Sequence, residues 1–492
     1  MKSKKLIVLS SLALVSIAGL SSCSLGGDDG DPNTIQVYAW ESGLGKVWLD
    51  KIAADFNASQ DTYKVQLTTS TNASTIAKTL ALGTSNPYDL YFTILPSYQY
   101  YDDFAILDDV LEFKHAGESK NIGEKIYPGL LAAQKDGNDG KYHMLNYGNT
   151  VGGIVYNRGM ISEDKIPATT DELADLVVEI AGTGVKPWLF YNEPGGLNGY
   201  WNYLSYAWAA QYDGVDYYYN NLMKLTDENG NSPSREVFVK KDGRFEALKV
   251  MEEIITPDTT HQQCGNTVFT TVQNLYLQGV APLTINGSWL LNENKSTADV
   301  NMMKTPVISS IVEKLQDKSM SDSTLSDIIR EIDGGATSSS KCSDEDFARI
   351  KQARNLVYNN SAEQRIFVPK YSNALEGAKE FLKYFFKDSS ILTYMNALHL
   401  PSNARLDDPS LYDSSSDSVW AKTQFAMAEQ EELYFRADSA SAYRNHGLNP
   451  YAGVQTAQSF LNPNPNDRKN AEQVWENFLA VVEEGWESFI ND

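Results

Sequence analysis

Hydrophobic and polar residues along the chain fall into two alternating blocks. The stretch "TIQVYAW" alternates with period two, and "VWLDKIAADF" then places Trp48, Ile52 and Phe56 four apart, so a strand is followed by an amphipathic helix. "YKVQL" repeats the strand signal through Tyr63, Val65 and Leu67, "TIAKTLALG" predicts a short helix ending at Gly83, and "YDLYFTIL" predicts a third strand. A β-α-β-α-β order predicts a mostly parallel sheet covered by helices.

The second block opens with the strand "TVGGIVYN". A helix follows, with a capping box from Thr169 to Glu172 and an apolar face of Leu173, Leu176, Val177 and Ile180. "KPWLFY" reads as the next strand, and helical "EALKVMEEII" and "TVQNLYLQG" precede the strand "APLTING". This is a second α/β lobe. Residues from about 304 to 364 are polar, lack the strand rhythm and look like an insertion. "RIFVPKY" returns to a strand, and the helix "EGAKEFLKYFF" aligns Ala378, Phe381, Leu382 and Phe385. At the C-terminus Trp475, Phe478, Leu479, Val482, Trp486 and Phe489 recur at helical spacing, a packing stripe. No solenoid-type repeat is visible.

The N-terminus changes the picture from a plain globular chain to an exported one. Lys2, Lys4 and Lys5 precede the apolar run Leu6 to Leu20 and the small residues Ser21 and Ser22, an export signal over residues 1–22. The run is shorter than the roughly 20 residues a bilayer span needs. Leu20-Ser21-Ser22-Cys23 resembles the lipobox of bacterial lipoproteins, which implies that Cys23 is acylated and begins the mature chain. The alternative is an ordinary signal peptide with a chance cysteine. Two acyl chains make a stable tether, each buried methylene contributing about 0.8 kcal/mol. Residues 23–33, rich in Gly and Asp, then form a flexible leash.

The chain has 492 residues and a formal net charge of −23, enough length for two or three domains. The excess of acid argues against nucleic acid and against electrostatic adhesion to anionic lipid, which leaves tethering to the lipid anchor. Cys264 and Cys342 are the other cysteines. A disulfide and two separate thiols both remain open from sequence.

Enzyme signatures are missing. There is no G-x-S-x-G elbow, no H-E-x-x-H and no complete P-loop; in "SGLGKV" the glycine spacing is wrong and Val47 stands where a magnesium-binding hydroxyl would be. Five histidines without ligand spacing predict no metal site. "DENGN" at 227–231 and "DGNDG" at 136–140 read as turns, lacking the full order of a calcium loop. A carboxylate pair for glycoside cleavage leaves no local signature, since its members are distant in sequence.

A series of segments, in order, carries a resemblance: "AWESG", "GGIVYNRGMI", "LYLQG" leading into "VAPLTINGSW", "FVPKYSNALEGAKEFLKYFF" and "LHLPSNA". Together they resemble the extracellular solute-binding proteins of ATP-binding-cassette sugar importers, the family that includes maltose-binding protein. "MMKTPVISSIVEKL" resembles Gram-positive members and departs from the shorter maltose-binding pattern. The resemblance implies a two-lobed periplasmic-binding-protein-like α/β fold of class II type, each lobe a mixed, mostly parallel sheet flanked by helices, with the ligand cleft between lobes. The N-terminal lobe would comprise residues 34–149 plus about 366–405. The C-terminal lobe would comprise 150–365 plus about 406–492. It further implies a carbohydrate ligand, permease subunits as partners, a monomer, no cofactor and no catalysis, at the outer face of the cytoplasmic membrane.

In open α/β sheets ligands settle beyond the carboxyl ends of strands. Trp40, Glu41 and Ser42 occupy one such end and Asn286 to Trp289 another. An indole offers a rigid apolar face to the C–H face of a sugar, while carboxylates and amides meet hydroxyls. The alternative for Trp40 and Trp289 is core packing, and for Glu41 a carboxylate at a helix start. Matching family position adds Tyr98 in "LPSYQYY" and Tyr200 and Trp201 in "GGLNGYW". Tyr147 and Asn149 fall where the chain should cross between lobes, though Asn149 equally suits a turn. Arg436 in "ELYFRADS" is a further candidate, with an exposed salt bridge as its alternative. The leading function is a tethered sugar receptor; the alternatives are a lipid-anchored glycoside hydrolase, which would convert its ligand, and a glycan-binding adhesin.

Overall fold

The computed structural model describes residues 31–41, 43–72, 74–94, 98–136, 139–192, 200–264, 268–359, 364–434 and 457–491. The export signal, Cys23, Ser42 and Arg436 lie outside these residues. Among the described residues ten strands form two sheets. The first has the order β2-β1-β3-β9-β4, from Lys64–Ser70, Thr34–Trp40, Leu90–Ile94, Gln364–Phe367 and Leu145–Asn146. The second has the order β10-β8-β5-β6, from Glu431–Tyr434, Leu356–Asn359, Val151–Asn157 and Leu283–Gly287, with β7 (Val300–Met302) also on β5.

The sheets are mixed, and in the first the parallel pairing expected from the sequence is confined to β2-β1-β3. There helix Val47–Ser59 supplies the long crossover that parallel neighbours require. Strands β9 and β4 join antiparallel, as do β6, β7 and β8 on β5. Only β10 on β8 adds a parallel pair in the second sheet. The chain reaches these strands from distant segments or from the other sheet, so strand direction is not inherited from a neighbouring β-α-β unit.

The helical stripes read from the sequence are core. Trp48, Ile52 and Phe56 are buried in helix Val47–Ser59, and Ala378, Phe381, Leu382 and Phe385 in helix Leu375–Phe385. A buried Phe or Leu side chain contributes about 1.5–3 kcal/mol, so such a stripe outweighs the weak propensities of the helix itself. Trp475, Phe478, Val482 and Trp486 of helix Ala471–Asn491 are likewise buried. Of the capping box, Thr169 Oγ1 accepts from Glu172 N–H (3.2 Å), but the Glu172 carboxylate accepts from Ala168 N–H (2.7 Å) instead of the cap residue.

Two local expectations change. "KPWLFY" is not a strand: Trp188 makes isolated bridges to Thr260 and Leu283, and Pro187, without an N–H, limits the ladder. Conversely, β8 lies inside the polar stretch 304–364, its four buried residues too few to show a period. Among the described residues no helix is long and apolar enough to cross a membrane.

Candidate functional site

Strand β1 delivers its last residues to the edge of the first sheet. Glu41 N–H extends the parallel ladder by donating to Ser70 O (2.8 Å), and Trp40, half-buried, donates from Nε1 to Thr71 O (3.3 Å). The next helix begins at Val47 with Lys46 as its cap. Glu41, also half-buried, therefore lies outside the first helical turn, and the helix-start role is not its own. Between them Gly43 and Leu44 are buried, and Gly45 takes a positive φ of 60° that lets the loop turn into the helix.

Strand β6 ends at Gly287, and Trp289 follows. The indole is 7% exposed. It covers Gly287, where any Cβ would collide with its six-membered ring, and it also covers Gly43 of the first loop, where a Cβ would lie 2.6 Å from Trp289 Cδ1. The loops that follow β1 and β6, in different sheets, therefore meet at this indole.

Around Trp289 lies an aromatic band. Tyr200 meets it edge-on with ring centroids 5.6 Å apart and stacks on Tyr203 (4.9 Å, 15°), which stacks in turn on Tyr358 (5.2 Å, 16°). Phe269 meets Tyr200 at 5.7 Å and Tyr191 at 5.5 Å. Tyr203 fills the space above Gly152, so the glycine of "VGGIVYN" is needed for that close approach. Tyr191, Tyr200 and Phe269 are half-buried, so the band has a solvent edge. Phe269, Tyr191, Tyr203 and Tyr358 were not among the sequence candidates. The spacing of Tyr200 and Tyr203, three apart at the start of helix Trp201–Asp213, is the one local signal that could have found a member.

Three candidates are buried in packing or in hydrogen bonds in this structure. Trp201 is fully enclosed, edge-on to Trp188 and Phe190 at 5.2 Å each, and an enclosed ring presents no face to a ligand. Tyr147, 2% exposed, stacks on Trp48 at 5.9 Å in the core of the first sheet. Asn149 is buried in the 147–150 connection between β4 and β5, where its Oδ1 accepts from Asn359 Nδ2 at 2.6 Å. Asn359 ends β8, immediately before the chain returns to the first sheet, so this amide pair clasps the two crossovers. Nearby Asn146 Nδ2 donates to Gln364 O (3.1 Å), and Asn403 Nδ2 donates to Asn146 O. The backbone of Tyr98 begins a short turn, Tyr98–Asp103; its side chain is outside the described residues.

The bridge between Cys264 and Cys342 is not formed. Both are free thiols. Cys264 Sγ accepts from Phe190 N–H at 3.3 Å, and burial pushes its thiol up to about 12. Beside Trp289, in helix Leu290–Asn294, burial raises the Glu293 carboxyl although Gln273 Nε2 donates to it at 2.8 Å. Asp136, Asp139 and His143 bring oxygen and nitrogen atoms within 4.8 Å of one another. His143 Nε2 lies 2.8 Å from Asp139 Oδ2, an ion-pair geometry.

The geometry is that of a clamp: two sheets, two buried crossovers and two loops that meet across a tryptophan. The sequence profile of the bacterial extracellular solute-binding proteins matches residues 51–426. The chain belongs to that family. Solute-binding proteins of known structure share the fold over nearly their whole length. RafE in complex with raffinose is 16% identical, with a TM-score of 0.53 over 90% of this chain and 98% of that one. The GacH receptor of Streptomyces glaucescens, solved unliganded and with acarbose, is 14% identical with a TM-score of 0.56 over 93% and 98%. Maltose-bound MalE3 of T. maritima is 13% identical with a TM-score of 0.58 over 92% and 99%. No curated protein sequence matches the chain. As in other extracellular solute-binding proteins, the two sheets here are the cores of two lobes, and the function of the family is to bind a substrate.

Proposed function

We propose that the protein is a lipid-anchored receptor that closes its lobes on a carbohydrate, most simply an oligosaccharide, and presents it to the permease subunits of an ATP-binding-cassette importer. The observation that carries this reading is the meeting of Gly43, in the loop that follows Trp40 and Glu41 at the end of β1, with Trp289 of the other sheet, on which Tyr200 packs edge-on. Broad aromatic faces beside carboxylate and amide groups suit a ligand that is apolar on its ring faces and hydroxylated at its edges. The raffinose, acarbose and maltose of the structurally similar proteins are ligands of that kind. Ser42, Tyr98 and Arg436 remain proposed ligand contacts. The lobes are proposed to comprise residues 34–149 and 150–365, exchanging near β9, with the later segments divided at about residue 405.

Thermal-shift and calorimetric screening against mono- and oligosaccharides tests the reading, because a ligand bound only by the native state raises apparent stability by mass action. Saturable binding with the sugar recovered intact supports a receptor. Cleaved sugar on chromatography would favour the glycoside hydrolase, and no response to any sugar would remove the carbohydrate assignment. The anchor is tested separately: Cys23→Ala should shift the exported protein out of the membrane fraction, and unchanged partitioning would refute lipidation at Cys23.

A further inference from the structure

A cavity of about 450 Å³ lies apart from the aromatic band, on the segment that follows helix Asp388–Leu398. Its apolar wall includes Tyr127, Met395, Leu406, Tyr412 and Phe425, and the exposed Lys120 and Lys422 also line it. Both lobes contribute. Arg405 N–H donates to Lys125 O (2.8 Å), tying the segment to the first lobe, and helix Val419–Ala428 packs against β5 and β7 of the second.

The charges in this wall are unequally committed. Glu429 pairs with Arg405 at 2.8 Å, and the Arg405 guanidinium lies 4.2 Å from the centre of the Tyr127 ring. Asp417 accepts from Tyr412 OH at 2.9 and 3.0 Å and faces His399 Nδ1 at 2.9 Å. Both carboxylates of the wall are therefore satisfied by neighbours. Lys120 and Lys422 form no ion pair within 4.0 Å among the described residues; Asp407 is the carboxylate that feels the charge of Lys120, and it also accepts backbone hydrogen bonds there. A volume of roughly 300–1,000 Å³, a largely apolar wall and a few placed polar groups characterise small-molecule sites.

We propose that this cavity is a second ligand site, selective for a small organic anion with a flat apolar body, such as an aromatic carboxylate. The ring would lie among Tyr127, Met395, Tyr412 and Phe425, and the carboxylate would meet the ammonium groups of Lys120 and Lys422. The assignment does not depend on the sugar reading, since none of the sugar-site candidates lines the cavity.

Isothermal titration of the full mature chain with 2-naphthoate tests it. Saturable binding at one site is expected, and Lys120→Ala and Lys422→Ala should each weaken it about tenfold, the scale of one charged hydrogen bond. Both lysines are exposed, so unchanged melting temperatures will show that the variants fold. The neutral 2-naphthamide should bind at least about tenfold more weakly than the carboxylate. Absence of saturation at millimolar probe, affinity unchanged in both variants, equal binding of the amide, or displacement of the probe by a cleft-bound sugar would each overturn the proposal.

Discussion

Gly43 and Trp289 face each other across the two lobes, so close that a Cβ at position 43 would stand 2.6 Å from Trp289 Cδ1 and 2.9 Å from Trp289 Cβ. Gly43 does not need a positive φ, so glycine serves here to admit the indole and not to relieve the backbone. One hydrogen atom in place of a methyl group therefore sets how near the loop after β1 can come to the loop after β6.

Gly43→Ala should weaken ligand binding roughly tenfold, the cost of overpacking one methyl group into a closed contact, while each lobe keeps its core. Calorimetric titration with the sugar found in screening, beside a thermal melt, reads both effects. Unchanged affinity would show that this contact plays no part in closure.

Trp40 and Trp289 should separate in a paired experiment. Trp40 is half-buried, so Trp40→Ala should cost about ten- to a hundredfold in affinity with little change in melting temperature. Trp289 touches Gly43, Gly287, Tyr200 and Tyr203, so Trp289→Ala should also lose roughly 3–5 kcal/mol of stability, measured by urea unfolding. A fully stable Trp289→Ala protein would contradict the packing described here.

Asp213 gives a pH signature. Burial, aided by the nearby Asp242 charge, raises its carboxyl from 3.8 to about 6, although Gly243 N–H donates to it at 2.6 Å. The folded state thus holds this proton more tightly than the unfolded state, and the contribution of Asp213 to stability falls as pH rises from about 4 to about 6. Asp213→Asn keeps the acceptor for Gly243 and should be more stable than wild type at pH 7.5, the gap closing toward pH 4. Parallel stability curves for the two proteins across that window would refute the assignment.

The cysteines should differ in reactivity. The buried Cys264 thiol, pushed up to about 12, should resist alkylation in the native protein, whereas the half-buried Cys342 should react. Mass spectrometry after iodoacetamide should show one modified site under native conditions and both after denaturation. A peptide joining the two under non-reducing digestion would contradict the free thiols.

The elements that were legible in the sequence are those whose burial repeats along their own length. In helix Leu375–Phe385 the buried residues recur on one face, and in β1 Ile35, Val37 and Ala39 fill one face while Gln36 and Trp40 of the other are half-buried, so the period of the fold is written into the residue order. Trp188 carries no such information: its neighbours Pro187, Leu189 and Phe190 are as apolar as a strand's, and its pairing depends on Thr260 and Leu283, far along the chain. Strand β8 was hidden for the related reason that four buried residues have no period.

For the site, residue order alone located the ends of β1 and β6, with Trp40 as the last residue of the first and Trp289 just after the second, because strand ends are local features. It did not distinguish Trp40, half-exposed, from Tyr147 and Trp201, enclosed in packing, since an aromatic side chain is as suited to a core as to a ligand. That choice was made by Trp48, Trp188 and Phe190, which close over the latter two, and by Gly43, Gly152 and Gly287, whose missing side chains admit Trp289 and Tyr203. Tyr203 and Tyr358, stacked in space, are 155 residues apart in sequence. Contacts of that kind arise only when the chain has folded, because the partner that decides a side chain's role is supplied by another part of the chain.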